Sequence, residues 1–161
     1  MRRIWLKGKY AVVSNCDYAF ASQWKWQALR RRTITHVTRR QWKNGVAKTV
    51  YLHQLIAERM GLTIRKKAID HADRNGLNNQ RLNLRVATKS QNGMNRGPQS
   101  NSRSRIKGVS WDKSRGKWRA SIKVLGRQKL LGRFTNKTIA TKAYNKAAKK
   151  YFGKFAYQNP L

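Results

Sequence analysis

Asp70 and His71 stand side by side in a chain that has three histidines and five acidic residues. A carboxylate is a hard oxygen ligand of the kind Mg²⁺ and Mn²⁺ prefer. An imidazole titrates near neutrality and is the natural general base. A turn rich in Asn and Gly follows, then a short apolar strand carrying Asn83, then a polar helical segment that delivers Asn92. Asn83 cannot titrate, but its amide can bridge two strands or hold an imidazole in place. The carbonyl oxygen of Asn92 is a second hard ligand. This order suits one divalent cation, Mg²⁺ or Mn²⁺, held by Asp70 and Asn92, with one water activated by His71 against a phosphodiester. Adjacent side chains on a strand diverge to opposite faces, so the strand must twist or end at this pair. An ordinary hairpin is the other reading, because Asn and Gly supply the left-handed conformations of tight turns.

The charge balance favours the first reading. The 161 residues include 38 Lys and Arg against 5 Asp and Glu, a formal net charge of +33. Self-repulsion of that size strains a compact state, and a polyanion relieves it. The basic residues run through every segment, which a solvated tail does not explain. Six Trp and six Tyr argue against disorder and offer flat faces for stacking. Double-stranded DNA is the expected partner; charge alone also allows RNA or ribosome association. Cys16 is a lone cysteine, so neither an internal disulfide nor a Cys-rich zinc site is expected, and an intracellular location fits. No apolar run approaches the ~18 residues of a membrane span, and no signal-peptide core follows Met1. Nothing points to a small-molecule cofactor. No long heptad is visible, and a monomer is the simplest expectation.

Several elements must position the candidate site, and together they read as an α+β chain. Residues 1–52 read as short strands and turns, with Ile4-Trp5-Leu6 and Lys9 to Val13 strand-like. A helical turn is expected within 17–26 and a strand from Thr33 to Arg40. Asn44-Gly45 is a strong hairpin signal. A strand from Ala47 to Leu52 leads into a helix over His53 to Met60, stopped by Gly61. Residues 69–95 form strand, turn, strand and helix. Gly93 to Arg105, rich in Gly, Ser, Asn and Arg, reads as flexible, with 96–105 as the basic linker proper. In 106–161, strict alternation puts Trp118, Ala120, Ile122 and Val124 on one face and Lys117, Arg119, Ser121 and Lys123 on the other. Three strands are expected there, then an N-cap at Thr135 and a helix ended by Gly153. His36 has no partner in sequence and reads as surface. His53 reads as packing or capping where strand meets helix, with a supporting catalytic role as the alternative. Asp73 reads as a turn carboxylate that could also support a metal.

The segment from Asp70 to Asn92 resembles the HNH nuclease motif, the ββα-metal finger, in its H-N-N variant. His71, Asn83 and Asn92 fall at the three signature positions, and Asp70 at the family's preceding ligand. Leu77-Asn78-Asn79, Asn83-Leu84-Arg85 and the upstream His53-Gln54-Leu55-Ile56 resemble the phage and intron-encoded homing branch. Lys9-Tyr10-Ala11-Val12-Val13 and Trp24-Lys25-Trp26 also have close counterparts there. That branch usually has more acidic residues where this chain has Ser14-Asn15-Cys16. The resemblance implies a metal-dependent DNA endonuclease, active in a bacterial or phage-infected host, that leaves 5′-phosphate and 3′-hydroxyl ends. It implies that His71 is the general base, that Asn83 orients it, and that Asp70 and Asn92 hold the metal. Residues 106–161 resemble the AP-two/ethylene-response-factor domain through Lys107-Gly108-Val109, Gly116-Lys117-Trp118, Ile122, Leu131-Gly132, Phe134, Ala143-Tyr144, Ala147-Ala148, Gly153 and Ala156. The helix departs from that family at Lys137, Thr138 and Asn145, where acidic residues are usual. The implied organisation is a nuclease domain over 1–95, a basic linker over 96–105 and a DNA-binding domain over 106–161. The residues expected on DNA are Arg85, Arg96, Arg103, Arg105, Lys107, Trp111, Lys113, Arg115, Lys117, Arg119, Ser121, Lys123, Arg127 and Gln128. The alternative function is a sequence-specific or architectural DNA binder whose nuclease site is silent.

Overall fold

Alternating apolar residues build the first sheet. In Arg2–Trp5 (β1) and Tyr10–Val13 (β2) the residues Ile4, Ala11 and Val13 turn inward, and the two strands pair antiparallel. The computed structural model describes residues 1–31, 34–63 and 67–161. A short helix, Asn15–Ala21 (α1), leads into a three-stranded antiparallel meander of Gln27–Arg31 (β3), Ile34–Lys43 (β4) and Val46–Tyr51 (β5). Asn44 and Gly45 both take positive φ, 50° and 74°, as the expected two-residue hairpin turn demands. Thr33, at the start of the expected strand, lies outside the described residues. The helix Leu52–Arg59 (α2) follows, buried on Leu52, His53, Ile56 and Ala57.

The next segment carries the candidate site. Ala68–His71 (β6) pairs antiparallel with Leu84–Ala87 (β8). Between them, Asn78–Asn79 (β7) joins the first sheet by pairing parallel with β2. Gly76 packs so closely on the backbone of Thr35 in β4 that a Cβ there would overlap the carbonyl oxygen. Asn83, expected within a strand, lies instead in a 3₁₀ turn over Arg81–Asn83 that precedes β8. Lys89–Asn95 (α3) completes the sequence of elements expected for the finger.

One fully buried carboxylate ties distant parts of this half together. Asp17 on α1 receives Nε and Nη2 of Arg81 at 2.7 and 2.8 Å and Nε of Arg59 at 3.3 Å. The Arg81 hydrogen bonds outweigh the cost of burial and hold the carboxyl below its usual range. The Arg81 backbone N–H also donates to Ser14 Oγ at 2.9 Å.

Chain contacts divide the protein into Met1–Lys89 and Ser90–Leu161. In the second unit, Val109–Asp112 (β9), Lys117–Val124 (β10) and Arg127–Phe134 (β11) form an antiparallel sheet in the order β11-β10-β9. Lys137–Phe152 (α4) covers one face, burying Ala140, Tyr144 and Ala148 against Val109, Ala120 and Ile122. The N-cap of α4 is Asn136, not Thr135: its Oδ1 accepts from Thr138 N and Ile139 N at 2.7 and 3.3 Å. A side-chain amide one residue closer to the first turn is the better-placed acceptor. Gly153 ends the helix. The segment expected as a flexible linker is held by side chains. Lys107 donates to the carbonyls of Gly93, Met94 and Arg96 at 3.0, 2.7 and 2.6 Å, and buried Ser104 donates to Val109 O at 2.6 Å.

Replacing Asp17 by Ala should destabilise the protein by about 2 kcal/mol, less than a fully buried pair is worth because both guanidinium groups remain partly solvated. Urea unfolding of the full chain measures it, and a loss under about 0.5 kcal/mol would show the tie to be ornamental.

Candidate active site

Strand register sets the first contact. Asp70 on β6 lies opposite Arg85 on β8. Both Nε and Nη2 of Arg85 donate to Asp70 Oδ2, at 2.9 and 2.7 Å. The pair is largely withdrawn from water, with side-chain exposures of 17% for Arg85 and 7% for Asp70. His71, the last residue of β6, is buried, and its Nε2 lies 3.4 Å from Asn79 Oδ1. Asn79 is fully buried on β7, and its Nδ2 donates to Gly76 O at 3.3 Å. That bond turns Oδ1 toward the imidazole. Neutral His71 therefore carries its proton on Nε2, and Nδ1 is the basic nitrogen, an assignment made from the hydrogen bonds.

All three histidines of the chain meet here. The ring centroids are 5.1 Å apart for His53 and His71, 5.4 Å for His36 and His53, and 6.1 Å for His36 and His71. His36 is thus not the surface residue its sequence context suggests: β4 brings it to the cluster. His53 sits at the start of α2, where strand meets helix, with its Nδ1 buried and unpartnered. Burial pushes His53 down to about 3, with the neighbouring His71 and His36 adding to it. Burial also lowers His71, opposed by the Asn79 hydrogen bond and by Asp73 and Asp70. His36 is lowered by burial and by Arg31. An imidazole kept neutral near pH 7 can accept a proton.

Asn83 organises the turn. Its Nδ2 donates to Asp73 Oδ1 and Asn78 O at 2.9 and 2.7 Å, and its Oδ1 accepts from Asp73 N at 3.0 Å. The Asp73 carboxylate also accepts from Asn75 N and Asn78 Nδ2, at 2.8 and 2.7 Å. Asp73 is therefore a turn carboxylate. Asn79, which touches His71, is a site residue that sequence reasoning alone does not single out. The doubled Asn of Leu77-Asn78-Asn79 was its only mark.

Asp70 supplies a hard carboxylate oxygen, the donor type a divalent ion takes, and here that oxygen is engaged by the Arg85 guanidinium. Among the described residues, no three His, Cys, Asp or Glu side chains are grouped to hold a metal. A cation at Asp70 would then draw its other ligands from water, substrate or amide oxygens, as Mg²⁺ commonly does. Asn92 lies on α3, in the second unit.

The residues expected on DNA fall into distinct groups. On β10, Lys117, Arg119, Ser121 and Lys123 occupy the sheet face opposite buried Ala120 and Ile122. Gln128 donates to Ser121 Oγ at 2.7 Å on that face. Trp111 and Arg127 do not share it. They pair with Trp118 and Val124, whose face carries α4. Arg96, Arg103, Arg105, Lys113 and Arg115 are exposed, and Arg115 lies 3.8 Å from Asp112. Lys107 and Arg85 are engaged within the protein, at the linker carbonyls and at Asp70.

Known proteins similar to this one bear on the same residues. A family profile described as HNH endonuclease matches residues 50–94, the stretch from the end of β5 to α3. An uncharacterized HNH endonuclease of Acanthamoeba polyphaga mimivirus is 31% identical over 155 residues, covering 96% of this chain and 77% of that protein. The chain belongs to the HNH endonuclease family. Protein 3.8 of Escherichia phage T7 is 44% identical over 61 residues, 37% of this chain and 50% of its own length. No solved structure matches the chain. Among the described residues, no helix of this family member is long and apolar enough to cross a membrane.

The lowered histidines make stability pH-dependent. A group depressed in the folded state binds its proton more readily when unfolded, so stability falls as pH drops below about 6.5. His53 alone should contribute a slope approaching 1.4 kcal/mol per pH unit down to its folded value of about 3. Unfolding free energies measured from pH 7.5 to 5 should show the decline, and His53→Gln should flatten it. A flat wild-type profile would count against a buried neutral His53.

Proposed function

We propose that this protein is a metal-dependent DNA endonuclease of the homing type, cutting phosphodiesters to 5′-phosphate and 3′-hydroxyl ends in a phage- or virus-infected cell. The observation that carries the reading is His71: a buried, neutral imidazole at the end of β6, its tautomer set by Asn79, adjacent in sequence to a carboxylate. His71 Nδ1 takes the proton of the attacking water, a step worth about 10²–10⁴-fold in rate. Asn79 and the Asn83-braced turn keep the ring oriented, so little reorganisation is needed when substrate arrives. Asp70 would hold one Mg²⁺ or Mn²⁺, with Asn92 the second ligand expected from the family pattern. When bound, such a cation would supply stabilisation of the negative charge that develops as the phosphodiester is cut.

DNA is held by phosphate contacts from a basic surface. The outer face of the second unit's sheet is suited to this: Lys117, Arg119 and Lys123 lie on it, and Arg119 Nε is buried without a hydrogen-bond partner in the protein. The three strands and one helix are those expected of an AP-two/ethylene-response-factor-like domain, and a sheet face can enter the major groove. One observation favours the silent-binder reading instead: Arg85 already occupies Asp70.

Plasmid relaxation separates the two. Wild-type protein with Mg²⁺ should nick or linearise plasmid, EDTA should stop it, and His71→Ala should abolish it while leaving DNA affinity within a few-fold. Full cleavage by purified His71→Ala would refute the assignment. For binding, about six phosphate contacts predict a slope of log K against log[salt] near −5. In the full chain, Arg119→Ala with Lys123→Ala should reduce that slope by about 2. An unchanged slope would move the DNA surface elsewhere.

A further inference from the structure

We propose that Arg85 is a built-in competitor for the metal, and that binding of DNA releases Asp70 from it. This rests on the reading of Asp70 as a cation ligand and adds what governs that ligand's occupancy.

Nε and Nη2 of Arg85 converge on one oxygen, Asp70 Oδ2, at 2.9 and 2.7 Å. A divalent ion seated on that oxygen must displace a guanidinium, because two cations cannot share one lone-pair region at those distances. The pair is set by direct cross-strand register rather than by a loose surface contact. The wider charge distribution adds to the barrier: at +33, the free protein repels small cations. The same field attracts the phosphate backbone. A phosphate near β8 offers the Arg85 guanidinium an alternative bidentate partner and cancels part of the field that excludes the metal. The Asp70 oxygen that Arg85 held then becomes open to exchange, and a divalent cation takes the place of the guanidinium. Metal and DNA therefore bind cooperatively, and by linkage each tightens the other by the same factor. The free protein would bind Mg²⁺ poorly, a safeguard against loading metal away from its substrate.

The test uses the full chain in a His71→Ala background, so that DNA stays intact, with Mn²⁺ binding followed by electron paramagnetic resonance. Without DNA, the parent should bind Mn²⁺ weakly, and a specific or plasmid-derived duplex should tighten it by about tenfold. Arg85→Gln should tighten Mn²⁺ binding to the free protein and shrink the enhancement by DNA. Arg133→Gln removes the same charge from a guanidinium that pairs with Asp112 instead, and it should leave Mn²⁺ binding as in the parent. A folded Arg85→Gln with Mn²⁺ affinity equal to or below the parent's overturns the competition. Equal gains in Arg85→Gln and Arg133→Gln also overturn it, by assigning the effect to net charge. Should Arg85→Gln fail to fold, the Arg85 Nε–H resonance of the parent decides. It should shift when Mg²⁺ and duplex are added together, and a resonance that stays in place overturns the exchange. Asp70→Asn distinguishes the two levels of the proposal. Undiminished Mn²⁺ binding by that variant in the presence of DNA overturns Asp70 as ligand. Loss of binding there, combined with no gain in Arg85→Gln, overturns only the role of Arg85.

Discussion

The buried carboxylate of Asp17 is the constraint on which the site's placement depends. It joins α1 to the end of α2 through Arg59 and to the turn before β8 through Arg81. Those attachments bring together residues far apart in the chain and place the β6–β8 pair beside the N-terminal strands. Once that is done, β7 can pair with β2, Gly76 can seat on β4, and Asn79 is buried where it meets His71. The finger is therefore not an autonomous motif. Its imidazole is oriented by a strand that exists only because the N-terminal sheet accepts it.

A chain with 38 cationic and 5 acidic residues must use its carboxylates sparingly. Asp17, Asp70 and Asp112 each bind arginine, and Asp73 is ringed by amides. Elsewhere in the site the structural hydrogen bonds come from Asn75, Asn78, Asn79 and Asn83. Amides donate and accept without repelling phosphate, so they can brace a turn beside a polyanion. The second unit uses the same device. Asn145, which stands where the resembled family has an acidic residue, donates to Asn159 O and accepts from Asn159 N, both at 2.9 Å. A carboxylate there could only accept.

Local patterning made much of this legible. Alternation in β10, the Asn44-Gly45 turn and the apolar spacing of α4 follow from steric and burial rules that act within a few residues. The Asp70-His71 pair was visible because spacing and residue type coincide. What stayed hidden depends on contacts across the fold. His36 has no sequence neighbour to mark it, and only the meander carries it to His53. The pairing of Asp70 with Arg85 needs the register of two strands. Asn79 looked like one more turn residue because its burial comes from a parallel pairing with β2. The shift of the helix cap from Thr135 to Asn136 is a difference of one position between two competent side chains. Lys107, which reads as a phosphate contact, is directed by three carbonyls to a structural task.

The withdrawal of the imidazoles from water, His53 and His71 buried and His36 half-buried, has a consequence for the protein as a polyelectrolyte. Histidine is the side chain whose ordinary titration falls in the physiological range. Here each one is held toward neutrality by the fold. With five carboxylates at most to protonate on the acid side, the net charge is nearly constant from mildly acidic to mildly alkaline conditions. The grip on a polyanion is thereby insulated from fluctuations in proton concentration, and ionic strength becomes the variable that tunes it.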